Sequence, residues 1–284
     1  MRFVAFRDGN GNGLAASTDG TVWLGLMEGD AAYPGDLDEI LRNGSIEEAG
    51  RVLLAGSSVD LDRVSVLPPL SKASKILCVG LNYVDHAAEG GMQVPDYPTV
   101  FARFNSSLIG HGAPLVCPKL SDQFDYEGEM VAVIGKGGRA IPEAEALSHV
   151  AGYSVFNDAS VRDYQLRTPQ WTIGKNFDGT GAFGPAFVTA DELPEGAVGL
   201  RIQTRLNGRV LQDASTNHLV FSVARLVSLI SAAMTLEPGD IIVTGTPAGV
   251  GLGHKPPIFM KQGDVCEVEI ERIGLLRNPV IKEQ

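Results

Sequence analysis

The sequence predicts an α+β fold with mixed β-sheets. Three observations predict it. Short runs of β-branched and aromatic residues, bounded by Gly, Pro and Asp, recur from about residue 76 onward. Helical periodicity is confined to a few separate segments, and the regular βαβα alternation of a doubly wound sheet is missing. The chain has 284 residues, enough for a large domain with a smaller one beside it. Internal repeats and low-complexity tracts are absent from the sequence.

Residues 1–70 read as a small leader module. Arg2–Phe6 is a strand, Gly9-Asn10-Gly11-Asn12-Gly13 a turn, and Thr21–Leu26 a second strand pairing with the first as a hairpin. The glycines do not form a dinucleotide loop, because no strand–turn–helix frame surrounds them. Helices follow at about Leu37–Arg42 and Ile46–Leu54, the second with Ser45 and Glu48 in capping-box spacing. Leu67-Pro68-Pro69-Leu70 interrupts both periodicities and marks the boundary to a domain at 71–284. There Ile76–Val79 is a strand that turns into a short helix carrying His86 and Glu89. Further strands are expected near 99–103, 115–117, 130–134, 152–157, 186–189, 201–206, 240–244 and 265–270. Helices are expected near 143–148, 161–166 and 219–236.

Apolar residues make up 44% and charged residues 20%, the mix of an ordinary soluble globular protein. A net charge of −11 argues against nucleic acid as a partner. Binding a small anionic metabolite would then need local neutralisation, which a divalent metal provides. Cys78, Cys117 and Cys266 stand in apolar settings without metal-ligand spacing, as buried thiols in a reducing compartment do. The N-terminal MRFVAFRDG lacks the apolar core of a signal peptide, and 219–236 carries Arg225 and several serines, unlike a membrane span. A cytoplasmic protein with no membrane contact is expected.

The stretch from Asp125 to Gly135 reads as one strand, with Glu127 and Glu129 projecting to the same side as Val131 and Val133. Two carboxylates so spaced, on the order of 6–7 Å apart, repel by roughly 2–3 kcal/mol at an effective dielectric of about 20. On a wet face that costs little. On a buried face the pair needs a cation, and an all-oxygen donor set favours Mg²⁺ or Mn²⁺ over Zn²⁺. Asp158 ends an apolar strand, where it either completes the metal site or caps the following helix. His86 and Glu89, three apart on a helix, are either a carboxylate-oriented base that activates water or a surface ion pair. Gly90-Gly91 after them permits a hinge, which would make that helix a lid. Lys175, between glycine and aromatic residues, either holds a carboxylate or oxyanion in a pocket or lies on an exposed loop. The Gly245–Gly251 loop is not a phosphate loop, but its amides and the Thr246 hydroxyl can grip a carboxylate.

Taken together, FDYEGEMVAVIGK, FNDASVRDYQ, QWTIGKNFD and TGTPAGVG resemble, in order and spacing, the fumarylacetoacetate hydrolase family. GLNYVDHAAE resembles the lid-helix motif of its smaller acylpyruvase and oxaloacetate decarboxylase members. The resemblance covers about 72–280 and implies a mixed β-sheet roll with a small N-terminal α/β module, in a homodimer. It implies Mg²⁺ (or Mn²⁺) on Glu127, Glu129 and Asp158, a water-activating His86–Glu89 pair, and Lys175 as an oxyanion holder. Substrate contacts implied by the matching positions are Tyr83, Arg162, Gln165, Lys175 and Thr246. The implied activity is hydrolytic C–C cleavage of a 2,4-dioxo acid, an acylpyruvate, through a pyruvate-enolate leaving group. Decarboxylation of oxaloacetate, or isomerisation or hydration of a 2-oxo/2-hydroxy-dienedioate, is the alternative on the same site. Two stretches depart from the family pattern: Phe101-Ala102-Arg103-Phe104, where many relatives carry Lys-Pro, and Gly179–Phe183 after the lysine. Both are expected to line the pocket.

Overall fold

Strand Gly128–Ile134 is buried at all seven positions because it is covered on both edges and both faces. Val150–Asp158 pairs antiparallel along one edge, and Ile241–Val243 along the other. A computed structural model describes residues 1–9, 11–89 and 96–284 of the chain. In it these strands belong to a twelve-stranded sheet. From Gly128–Ile134 the sheet runs one way through Ile241–Val243 and Ile76–Gly80 to Thr99–Arg103. The other way it runs through Val150–Asp158 and Gly181–Thr189 to Arg2–Asp8, Gly11–Ser17 and Leu24–Met27. Ile241–Val243 pairs parallel with Ile76–Gly80, while its other neighbour is antiparallel, so the sheet is mixed as expected.

Side-chain alternation splits the interior into two cores. Met130, Ala132 and Ile134 face a five-stranded sheet that includes Arg201–Leu206, Val265–Ile270 and Gly274–Lys282, and the helix Val223–Ala233. Val131 and Val133 face the other way, with Phe156, Phe183 and Phe187, against Leu37, Ile40 and Leu53 of the leader helices. Burying a valine of this kind contributes roughly 1.5–3 kcal/mol. Asn157 and Asp158 end the central antiparallel pair where the two sheets meet, and that end carries the polar site.

Several local expectations are corrected. Asp125–Gly135 is not one strand: Phe124–Asp125 pairs with Ser160–Val161, and the main strand begins at Gly128. Glu127 lies in the break, where its N–H donates to Asn157 Oδ1 and its carbonyl accepts from Asp158 N. Gly11 and Gly13 lie in strand Gly11–Ser17, which pairs with Arg2–Asp8; the strand at Leu24–Met27 pairs with it, not with the first. Gly13 is required by packing, since a Cβ there would sit 2.4 Å from the Phe6 ring. The Ser45 side chain makes no cap hydrogen bond; the capping box belongs to Asp36 and Glu39 one helix earlier. The helix after Asp158 starts at Arg162, capped by Val161, so Asp158 is not an N-cap.

Candidate metal centre and active site

Alternation from Glu129, the break at Glu127 and the strand end at Asp158 bring three carboxylates together. One oxygen from each lies within 4.8 Å of the others, and all three residues are buried. Lys175, 1% exposed, sits among them, its Nζ donating to Glu127 Oε2 (2.7 Å) and Asp158 Oδ2 (2.6 Å). It is a buried site residue, so the exposed-loop reading falls away. Arg162 donates through Nε to Asp125 Oδ2 (2.7 Å) and through Nη1 to Glu127 Oε1 (2.5 Å) and Gln165 Oε1 (2.8 Å). Its Nη2 is buried and has no hydrogen-bond partner among the described residues. Arg103 Nε donates to Asp158 Oδ1.

The charge count of this cluster is uneven. Asp125, Glu127, Glu129 and Asp158 face three cations, Arg103, Arg162 and Lys175. Glu129 bears the shortfall: among the described residues its one hydrogen-bond partner is the Gly245 N–H, at 2.5 Å from Oε2. Burial, reinforced by the Asp158 and Glu127 charges, pushes its carboxyl well above the usual range. Glu127 behaves oppositely: burial disfavours its charge, but Lys175 and Arg162 outweigh that and hold it at about 2. Burial likewise opposes the Lys175 ammonium, and Asp158 and Glu127 overcome it, so its pKa is raised. The donor set is all oxygen, and a divalent cation would turn the cluster from one negative charge in excess to one positive, receptive to an anionic substrate. The residues therefore fit a hard divalent ion.

Above the acids lies a cavity of about 260 Å³. Glu127, Glu129, Arg162, Gln165, Lys175 and Thr246 line its polar floor, and Phe101, Leu166, Trp171, Val250 and Leu252 its apolar wall. Phe101 and Trp171 meet edge to face at 5.5 Å, and Lys175 Nζ lies 5.0 Å from the Phe101 ring centre. His86 and Glu89 also line the cavity, from helix Val84–Glu89. Their closest approach, Nδ1 to Oε2, is 3.6 Å, beyond a direct hydrogen bond. The Glu89 carboxylate instead accepts the Gly249 N–H at 3.1–3.2 Å, docking the helix on the facing loop. Burial works against the Glu89 charge, but His86 and the Gly249 amide prevail and lower its pKa. The Gly90-Gly91 hinge expected beyond this helix lies outside the described residues.

The loop after Ile241–Val243 does grip carboxylates, but they are the protein's own. Gly245 N serves Glu129, Gly249 N serves Glu89, and the amides of Gly251 and Leu252 serve Asp125. The Thr246 hydroxyl donates to the Gly128 carbonyl and accepts from Gln212 Nε2. Tyr83 is not among the lining residues; it is buried, its hydroxyl has no partner among the described residues, and burial plus the Glu129 charge raise its pKa. Sequence reasoning missed Asp125 and Arg103. The alternate spacing of Asp125, Glu127 and Glu129 marked the first; a lone arginine closing an apolar strand marked the second. Arg103 and residues 179–183 do not line the cavity, contrary to expectation, whereas Phe101 does.

Residues 75–281 match the family described as Fumarylacetoacetate (FAA) hydrolase C-terminal. The chain is 39% identical to the mitochondrial oxaloacetate tautomerase fahd2 of Xenopus laevis, over 99% of its own length and 90% of that protein's. It is 40% identical to the human mitochondrial oxaloacetate tautomerase FAHD2A, over 99% and 92%. Among solved structures it resembles a fumarylacetoacetate hydrolase from Exiguobacterium antarcticum (TM-score 0.83, 34% identity, both chains fully covered). A 5-carboxymethyl-2-hydroxymuconate delta-isomerase from Mycobacterium smegmatis is also similar (TM-score 0.78, 33% identity, both chains fully covered). With the matched region spanning most of its length, and Glu127, Glu129, Lys175 and the helix 84–89 lining one cavity, the chain belongs to the fumarylacetoacetate hydrolase family.

Proposed function

We propose that this protein is a divalent-metal-dependent enzyme that interconverts the keto and enol forms of a small 2-oxo acid of the oxaloacetate kind. One observation carries the reading: a buried carboxylate triad, in a cluster of four acids and three cations, beneath a cavity that His86 lines. The names of the vertebrate relatives, oxaloacetate tautomerases about 40% identical across nearly the whole chain, favour this reaction over hydrolysis.

In this reading Glu127, Glu129 and Asp158 hold Mg²⁺ or Mn²⁺, which when bound supplies the Lewis-acid charge that favours an enolate. Toward the enol, His86 takes a proton from the substrate's C3 while the 2-oxo oxygen gains one from solvent. Toward the ketone, the enol O–H proton leaves to solvent and His86 delivers a proton to C3, with Glu89 setting the ring's position. Lys175 and the unpartnered Arg162 Nη2 meet the negative charge that develops on the 2-oxo oxygen. Gln165 gives its carbonyl to Arg162, which leaves its amide nitrogen as a donor to the substrate. Thr246 shapes the floor, and Tyr83 backs the Glu129 side of it. The phenyl and indole wall keeps water away from the enolate. We further take 71–284 as the catalytic domain, 1–70 as the small N-terminal one, and the enzyme as a cytoplasmic homodimer. The leader strands nevertheless share a sheet and a core with the catalytic part. Among the described residues no helix is long and apolar enough to cross a membrane.

Acylpyruvate hydrolysis is the second reading, favoured by the His86–Glu89 pair, which can equally activate a water. The test follows ketonisation of enol-oxaloacetate and pyruvate release from an acylpyruvate, using Mn²⁺-loaded, EDTA-treated and His86→Ala protein. The proposal expects rapid ketonisation by the loaded enzyme, abolished by EDTA and reduced about 10²–10⁴-fold by the substitution. Acylpyruvate cleavage without any acceleration of ketonisation would move the function to hydrolysis.

A further inference from the structure

The two stretches that depart from the family pattern meet at one side chain. Arg103 closes strand Thr99–Arg103, and its side chain is fully buried beside Asp158. Nε donates to Asp158 Oδ1, Nη2 to the Ala159 carbonyl at 2.6 Å, and Nη1 to Ser107 Oγ at 3.1 Å and Thr180 Oγ1 at 3.4 Å. The guanidinium also lies 5.6 Å from the Phe156 ring centre. Gly181 makes room for it: a Cβ at that position would stand 2.5 Å from Nη1. Arg103 and the Thr180-Gly181 pair are therefore matched. A bulkier residue at 181 would expel the guanidinium, and a single ammonium could not make all four contacts.

The surroundings hold this arginine rigidly. Asn176, next in sequence to Lys175, donates from Nδ2 to the Ala102 carbonyl and accepts the Phe104 N–H. The backbone on either side of Arg103 is thus pinned to the lysine that shares Asp158. One Asp158 oxygen, Oδ1, is engaged by Arg103, and the other, Oδ2, by Lys175, which also binds Glu127.

We infer that Arg103 is a positioning residue for the metal centre: it fixes Asp158 so that Oδ2 alone is presented, and thereby sets affinity for the divalent ion. It touches neither the cavity nor the substrate space. The inference rests on the reading that the triad binds a divalent ion. Groups that orient a metal's carboxylate ligands typically govern affinity 10–100-fold.

The test measures Mn²⁺ binding by electron paramagnetic resonance on purified wild type, Arg103→Lys and Gly181→Ala, with thermal unfolding of the metal-free forms alongside. Arg103→Lys keeps the charge and loses the fork; Gly181→Ala keeps the arginine and displaces it. Both are expected to weaken Mn²⁺ binding about tenfold or more, and neither removes a positive charge from the cluster. A purely structural role would lower the unfolding temperature and leave the Mn²⁺ dissociation constant of the folded protein within twofold of wild type, which overturns the inference. Wild type that binds no Mn²⁺ would overturn this inference and the metal reading together, whereas tight wild-type binding matched by both variants overturns this inference alone.

Discussion

Replacing Glu129 with Gln tests whether the triad is assembled for an ion at the expense of stability. Three carboxylate oxygens within 4.8 Å of one another repel by about 3–4 kcal/mol per pair at an effective dielectric of about 20. Lys175, bonded to the other two acids, relieves Glu129 only partly. The cost has a ceiling, because a carboxyl that cannot stay charged takes up a proton. From an ordinary value of 4.5 to pH 7, that limit is about 3 kcal/mol. Glutamine keeps an acceptor for the Gly245 N–H and removes the charge. The metal-free variant should therefore gain up to about 3 kcal/mol, or roughly 5 °C in Tm for a chain of this length. The sign with pH follows from linkage. A carboxyl raised by folding favours the folded state below its unfolded value and loses that advantage as pH rises, so the gap should vanish near pH 4 and open toward neutrality. With Mn²⁺ present the order should invert, since wild type gains the binding energy of an ion that the variant holds poorly. Thermal unfolding with EDTA and with Mn²⁺, across pH 4–8, is the assay. A metal-free Glu129→Gln protein less stable than wild type, yet with the full Mn²⁺ shift, would refute the reasoning.

Lys175→Met leaves Glu127 and Asp158 without their shared ammonium, so the metal-free protein should lose about 3–5 kcal/mol, with part of it restored by Mn²⁺ in the unfolding curve. Gly253→Ala puts a methyl 2.3 Å from Glu89 Oε1; it should undock the helix 84–89, seen as faster amide exchange there and a raised KM. Glu89 has a lowered pKa, so its docking contributes fully above the usual value of 4.5 and is lost as pH falls through its folded value. Protection of the Gly249 amide, relative to its intrinsic exchange rate at each pH, should fall in that acidic window and hold above it.

The acidic triad was legible because its signal is local. Glu127 and Glu129 are two apart on a segment whose valines announce burial, and Asp158 ends the neighbouring apolar run. Lys175 was legible only as a candidate, since nothing near it in sequence shows whether the surrounding glycines enclose or expose it. Other features depend on contacts far along the chain. Gly13 reads as a turn until the Phe6 ring is seen to occupy the space of its Cβ. The amides of 245–252 read as a substrate grip until Glu89, Asp125 and Glu129 are seen to use them. Arg103 acquires its meaning from Gly181, 78 positions later, which no periodicity could link to it.

The central claim is that one divalent ion sits among Glu127, Glu129 and Asp158. A crystal grown with Mn²⁺ and measured for anomalous scattering tests it most directly. The account predicts a single strong peak per chain at about 2.1–2.3 Å from one oxygen of each of the three carboxylates. A map with Lys175 still bridging Glu127 and Asp158 and the manganese bound elsewhere, or nowhere, would contradict it.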